Sequence, residues 1–174
     1  GVTGNLNGGD IIDIIVKSPA SARFICRHLY NFFVADEPQV PSWNDVPPLD
    51  SEGIAMMEAK FIETGGDIRS VLRMMFNSDF FKASSFKKVK SPTELVVGTV
   101  KIAGGMKFPE PGHTGMAAAT AAMGQGLQLP PTVEGWHTGK EWIDGGTLTE
   151  RVNFAVNQLS DTSADSTKWI IDHL

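Results

Sequence analysis

Cysteine is almost absent from this sequence, since Cys26 is the only one among 174 residues. A lone cysteine excludes an internal disulfide, a cysteine-based zinc site and a CxxC redox pair. Cys26 follows Phe24 and Ile25 in an apolar helical pattern, so we predict an inert thiol buried in the core. A nucleophilic role would need a positioned histidine, and His28 projects from another side of the same helix.

Histidine is also scarce, with four residues in the chain. They form none of the HxH, HxxxH or HExxH spacings that hold a metal. The sequence lacks the GxSxG turn of serine hydrolases, and its glycine clusters match neither GxGxxG nor GxxxxGK[ST]. We therefore predict no metal site and no cofactor. The four histidines are His28, which we expect to pack on its own helix, His113, His137 and His173.

Basic residues are fewer than acidic ones: the sequence has 15 Lys and Arg and 20 Asp and Glu, which gives a net charge of −5. A nucleic-acid surface would need a strong basic patch against this field, and the sequence has none. Long apolar runs are missing too: the stretch from Ile11 to Val16 is interrupted by Asp13 and is far shorter than the roughly 20 residues of a membrane helix. We predict a single helical domain over residues 1–174, with no nucleic-acid partner and no membrane span.

Apolar residues at helical spacing are what the sequence does contain. The clearest set follows Asp67, a predicted N-cap, and consists of Ile68, Val71, Leu72, Met75 and Phe76. Ser91 with Glu94, and Thr147 with Glu150, have the spacing of capping boxes. Comparable patterns predict helices over 9–17, 20–34, 51–64, 92–103, 116–127 and 147–159, and a short one opening at 162–165. No segment alternates long enough to predict a strand, so we expect an all-α fold, an irregular bundle of about seven helices.

Two segments interrupt the helices. Residues 36–50 contain four prolines and Trp43, and residues 128–146 contain two prolines, two tryptophans and four glycines. The second is one long Trp/Pro/Gly-rich loop whose tryptophans stand among charged side chains. These ligand-binding candidates are Trp136, Trp142, His137, Glu134, Glu141 and Asp144.

Two interpretations of this loop stay open. Aromatic rings beside paired carboxylates have the ingredients of a sugar-stacking platform. Alternatively, tryptophans packed under prolines brace a loop that has little backbone hydrogen bonding of its own. We expect Trp136 to be the buried, structural ring and Trp142 to face a ligand.

Arg151 is poorly placed for the helix dipole, because it lies in the first turns of a predicted helix. We therefore expect an ion pair with a carboxylate, for which Glu94 and Glu134 are the candidates. If the pair is buried, Arg151→Ala should cost roughly 3–5 kcal/mol.

An ordered series of motifs resembles the C-terminal portion of the bacterial proteins called domain of unknown function 1800. The motifs are Ser18 to Val34, Gly65-Gly-Asp67, Asn77-Ser-Asp-Phe80, Lys90-Ser-Pro-Thr-Glu94, Met123-Gly-Gln125, Pro130 to Ile143 and Thr147 to Phe154. They span nearly the whole chain. His137 departs from the pattern, in which proline or glycine is common after the tryptophan, and this makes a general catalytic use of His137 less expected.

The resemblance implies a fragment of a longer, exported bacterial protein, although this chain carries no signal peptide. It also implies a possible partner in an exported protein encoded by a neighbouring gene, and no established activity. Whether the protein is an enzyme stays open between two functions. One is a helical module that binds a partner protein or a glycan, and the other is the C-terminal half of a hydrolase, polysaccharide- or metal-dependent, whose catalytic residues lie mainly elsewhere.

Overall fold

The computed structural model describes residues 3–38, 46–104, 114–160 and 165–172, and within these ranges the fold is all-α, as predicted. The helices are α1 Gly8–Val16, α2 Pro19–Phe33, α3 Ser51–Glu63, α4 Ile68–Asn77, α5 Asp79–Lys82, α6 Pro92–Ile102, α7 Thr114–Ala122, α8 Gly145–Leu159 and α9 Asp165–Asp172. A 3₁₀ turn, Gly139–Trp142, precedes α8. No described helix is long and apolar enough to cross a membrane.

Helix caps explain most of these boundaries. The Asp67 carboxylate accepts the backbone N–H groups of Arg69 and Ser70 at the start of α4, as predicted. Ser91 and Glu94 form the predicted capping box of α6, with a 2.8 Å bond from the Ser91 N–H to the Glu94 carboxylate. These interactions satisfy N–H groups that have no partner inside the helix.

The start of α8 corrects the sequence prediction. The N-cap is Asp144, whose carboxylate accepts the Thr147 N–H at 2.8 Å. Thr147 is therefore the third residue of the helix (N3) and not its N-cap. A charged carboxylate is the stronger acceptor at a helix N-terminus, so α8 begins two residues earlier than expected. The four-residue α5 was not predicted, because so short a helix has no periodicity to detect. Expectations on Trp43, His113, residues 162–164 and His173 lie outside the described residues.

The chain divides into two compact units, Gly1–Lys88 and Val89–Leu174. In the first unit, α2, α3 and α4 surround a core that includes Ala22, Cys26, Met57, Val71 and Met75, all with no exposed surface. In the second unit, α6 packs against α7 and α8, and the buried apolar residues are Val96, Val100, Met123 and Trp142. The single domain over residues 1–174 stays a prediction.

A buried ion pair lies at the edge of the first core. Arg27 on α2 and Glu37 beyond its end are 1% exposed as side chains, and the Arg27 Nη2 lies 3.7 Å from a Glu37 carboxylate oxygen. Burial lowers the pKa of Arg27, and the nearby Glu37 charge opposes this shift. Arg27 also donates through Nη1 to the carbonyl of Val46 at 3.2 Å. The pair thus ties α2 to the segment that leads into α3.

Glu37 completes this tie with its carboxylate oxygens. It accepts the backbone N–H of Leu49 at 3.0 Å and that of Asp50 at 3.2 Å. Its own N–H donates to the Asn31 side chain at 3.0 Å. Hydrogen bonds to a charged carboxylate are stronger than those between neutral groups. The Glu37 carboxylate therefore holds the residues just before α3 in place, although they form no helix or strand.

We predict that Glu37→Ala lowers the free energy of unfolding by about 3–5 kcal/mol, because it leaves the buried Arg27 guanidinium without its counter-charge. The control is Arg23→Ala on the same helix, which removes a contact to Glu58 from a side chain that is 66% exposed. The control should cost less than about 1 kcal/mol. Urea unfolding measures both, and equal losses would contradict the importance of the buried pair.

Candidate functional site

A surface pocket of about 460 Å³ lies in the first unit, between the N-terminal end of α3 and the junction of α4 with α5. Its volume falls within the range of small-ligand sites. Three carboxylates, an amide, a hydroxyl and two large apolar side chains surround it. The lining residues are Asp50, Glu52, Gly53, Met56, Asn77, Ser78, Asp79 and Phe80.

The α3 side of the pocket is held by Asp50. Its carboxylate caps α3 by accepting the Gly53 N–H at 2.9 Å, and it accepts the Tyr30 hydroxyl at 2.8 Å. Burial and this hydrogen bond raise the pKa of Tyr30, so the phenol stays protonated and remains a donor. A Cβ at position 53 would lie 2.6 Å from an Asp50 carboxylate oxygen, so a larger residue than Gly53 would displace this carboxylate from its place.

The opposite side is a turn fixed by short-range hydrogen bonds. Ser78 donates its hydroxyl to the Met75 carbonyl at 2.6 Å and accepts the Phe81 N–H at 3.2 Å, so one side chain ends α4 and caps α5. Asn77 donates its amide to the Arg73 carbonyl at 2.7 Å. Phe80 stacks on Tyr30 with ring centroids 6.1 Å apart. Tyr30 therefore contacts both sides of the pocket.

The pocket is electronegative. The Glu52 side chain is exposed and forms no hydrogen bond or ion pair with any described residue. Asp79 is fully exposed and lies 3.5 Å from Lys82, a surface pair of little strength. No lysine, arginine or histidine is among the described residues that line the pocket. The arrangement favours a cation, with Met56 and Phe80 available to contact an apolar stem.

Sequence reasoning missed this pocket. Its two halves are more than twenty residues apart in the chain, and no spacing rule brings Asp50 together with Asp79. One signal was available, because the stretch from Asn77 to Phe80 was among the motifs of the family resemblance.

The structure reverses the predicted roles of the two tryptophans. Trp142 is 4% exposed and belongs to the buried residues of the second unit, so the prediction that it faces a ligand is wrong. Trp136 is only half-buried, and its indole N–H donates to the Gly126 carbonyl at 3.2 Å. The 3₁₀ turn explains the exchange: it begins at the buried Gly139, whose φ of +60° suits glycine, and directs Trp142 inward.

Three of the four polar candidates of the loop have local partners. His137 Nδ1 lies 3.0 Å from the Glu141 carboxylate, and both side chains are about half exposed, at 53% and 52%. The Asp144 carboxylate caps α8, and its hydrogen bond from the Thr147 N–H lowers its pKa. Glu134 is exposed. Ligand binding by these residues and by Trp136 stays a prediction.

Arg151 is 8% exposed, but the predicted ion pair with Glu94 or Glu134 is not formed among the described residues. Its Nη1 donates to the Lys90 carbonyl at 3.0 Å instead, and burial lowers its pKa. Glu94 is used in the capping box of α6. The expectation failed because a guanidinium also donates to backbone carbonyls, which no charge pattern reveals. Only Nη1 has such a partner among the described residues, and the buried Nε and Nη2 atoms form no hydrogen bond there.

The first unit confirms two smaller predictions. Cys26 has no exposed surface, and burial raises the pKa of its thiol to about 12. His28 packs edge-on against Phe24 on its own helix, with ring centroids 4.5 Å apart. No group of three or more His, Cys, Asp or Glu side chains in the described ranges has the geometry to hold a metal.

We predict that Trp142→Ala lowers the free energy of unfolding by about 3–5 kcal/mol, since it empties a buried site the size of an indole. Trp136→Ala should cost clearly less, because that side chain is partly exposed and its one hydrogen bond is worth about 1 kcal/mol. Chemical denaturation of the two variants checks the order. A larger loss for Trp136→Ala would contradict the placement of the rings.

We predict that Cys26 does not react with an aromatic disulfide reagent at neutral pH while the protein is folded. The thiolate is the reactive form, and burial suppresses its population. Labelling should reach one thiol per chain only after unfolding in denaturant. Absorbance of the released aromatic thiolate measures this. Rapid labelling of the folded protein would show that Cys26 is accessible.

Comparison with known proteins identifies the family of this chain but no activity. No curated protein and no solved structure gives a significant match. The model of one family, described as a protein of unknown function (DUF1800), matches residues 1–174. Since the match covers the whole chain, the protein belongs to the DUF1800 family.

Proposed function

We propose that this chain is a binding module for a partner protein and that its pocket between α3 and the α4–α5 junction receives a lysine or arginine side chain. The observation that carries the proposal is that three carboxylates and two large apolar side chains line one cavity, with no basic side chain among its described lining residues. Lysine and arginine have this double character, with a charged head on an apolar stem.

The head group would lie near Glu52 and Asp79, whose side chains are both exposed. The stem would pass along Met56 and Phe80. Met56 is 48% exposed, so its flexible side chain is available for contact before any partner arrives.

Rigidity of the pocket supports a binding role. Asp50 is held by Tyr30 and Gly53, and the entry to α3 is held by the buried Glu37. A site that is already ordered loses little conformational entropy when it binds. By contrast, Trp142, the ring predicted to face a ligand such as a sugar, is buried, and this favours a protein partner over a glycan.

A hydrolase function has less support in the described residues. Ser78, the hydroxyl of the pocket, donates to a backbone carbonyl, and no histidine or cysteine lines the cavity. The exported location implied by the family resemblance belongs to the proposal as well. An exported protein of a neighbouring gene is then a natural source of the basic side chain.

We expect a short peptide with one central lysine to shift the backbone amide signals of Glu52, Gly53 and Asn77 to Phe80 in a ¹⁵N NMR titration. The same peptide with norleucine, which keeps the stem and removes the charge, should shift them far less. A single side chain binds weakly, so saturation is expected only near millimolar peptide.

Glu52→Gln should weaken the lysine-dependent shifts several-fold, because it removes a pocket charge without touching the cap of α3. The control is Glu63→Gln at the other end of the same helix, where the carboxylate is exposed and pairs with Lys60. The control should bind as the parent does. Equal shifts from the lysine and norleucine peptides, or equal effects of the two variants, would overturn the proposal.

A further inference from the structure

Helix α1 exposes an apolar surface that the first unit does not use. Four isoleucines of this nine-residue helix are between 39% and 61% exposed, and none of its residues is buried. Only Val16, at its end, packs against the core of the first unit. The exposed residues are Ile11, Ile12, Ile14 and Ile15.

The sequence of α1 is complementary to itself when two copies run in opposite directions. Ile11 and Ile14 are three residues apart and share a face, so Ile11 of one copy can lie beside Ile14 of the other, and the reverse. Ile15 of each copy then lies over Gly8 of its counterpart. Gly8 offers room for this, because a Cβ built there would meet no atom within 4 Å.

Charge supports the same register. Asp10 and Lys17 are seven residues apart, on one line along the helix. In the antiparallel pair, Asp10 of each copy faces Lys17 of the other, and twofold symmetry repeats the contact. One oxygen of Asp10 accepts the Asn7 N–H at 2.9 Å, and the other has no described partner. Lys17 is exposed and has no described ion pair.

We propose that α1 is a homodimerisation element and that its partner is a second copy of α1 in antiparallel orientation. The contact has the isologous form that closes a dimer and leaves no free copy of the surface. A helix pair about 13 Å long buries less than a standard interface of about 1,200–2,000 Å². The dimer is therefore weak and depends on protein concentration. The proposal is independent of the pocket.

Sedimentation equilibrium of the full chain, over a series reaching near-millimolar protein, tests this. The expected result is a reversible monomer–dimer equilibrium. Ile14→Lys should abolish the dimer by placing two charges in the interface. The matched control is Ile62→Lys on α3, which changes an isoleucine that is 53% exposed and should leave the dimer intact.

Two further variants test the register and keep the test open if Ile14→Lys disturbs α1. Lys17→Glu should weaken the dimer and reverse its salt response, because repulsion between Asp10 and the new charge is screened by salt. A chain with both Gly8→Cys and Ile15→Cys should form disulfide-linked dimers on mild oxidation, through a bond between position 8 of one copy and position 15 of the other. The two single variants are the controls, because each lacks one half of this bond.

A monomer at every concentration would overturn the proposal. So would a dimer that survives Ile14→Lys, or one that Ile62→Lys also abolishes. A salt response unchanged by Lys17→Glu, or no cross-link in the double-cysteine chain, would refute the antiparallel register.

Discussion

Burial of the Arg27 guanidinium against the Glu37 carboxylate is the interaction on which the first unit depends. Two charges without solvent are costly unless every lone pair and proton finds a partner. Glu37 finds its partners in the backbone N–H groups of Leu49 and Asp50, and Arg27 finds one in the Val46 carbonyl. The need to satisfy the pair therefore determines where the irregular segment ends and α3 begins.

The position of the pocket follows from that constraint. Once Asp50 is held at the start of α3, its carboxylate reaches Tyr30, and Tyr30 supports Phe80 on the opposite wall. Core packing and site geometry are thus linked through one tyrosine. Glu52 and Asp79 lie at the exposed rim, where Asp79 makes only a surface contact with Lys82.

The second unit shows how a loop becomes structural. Gly139 permits a left-handed turn, Trp142 enters the core, and the Trp142 carbonyl then accepts the Thr147 hydroxyl at 2.9 Å. Asp144 lies between them and starts α8. Burial of one ring and capping of one helix are therefore a single local arrangement, and this explains why Trp142 packs inside the second unit instead of facing a ligand.

The sequence by itself determined the all-α fold, most helix boundaries and the burial of the one thiol, because helical periodicity, caps and breakers are local and act within a few residues. It also determined the family, through motifs in a fixed order. Only the tertiary structure decided which tryptophan is buried, what Arg151 contacts and where the pocket lies. Those outcomes depend on residues distant in the chain, such as Asp50 and Asp79, and on backbone carbonyls that every residue carries. No local pattern encodes either.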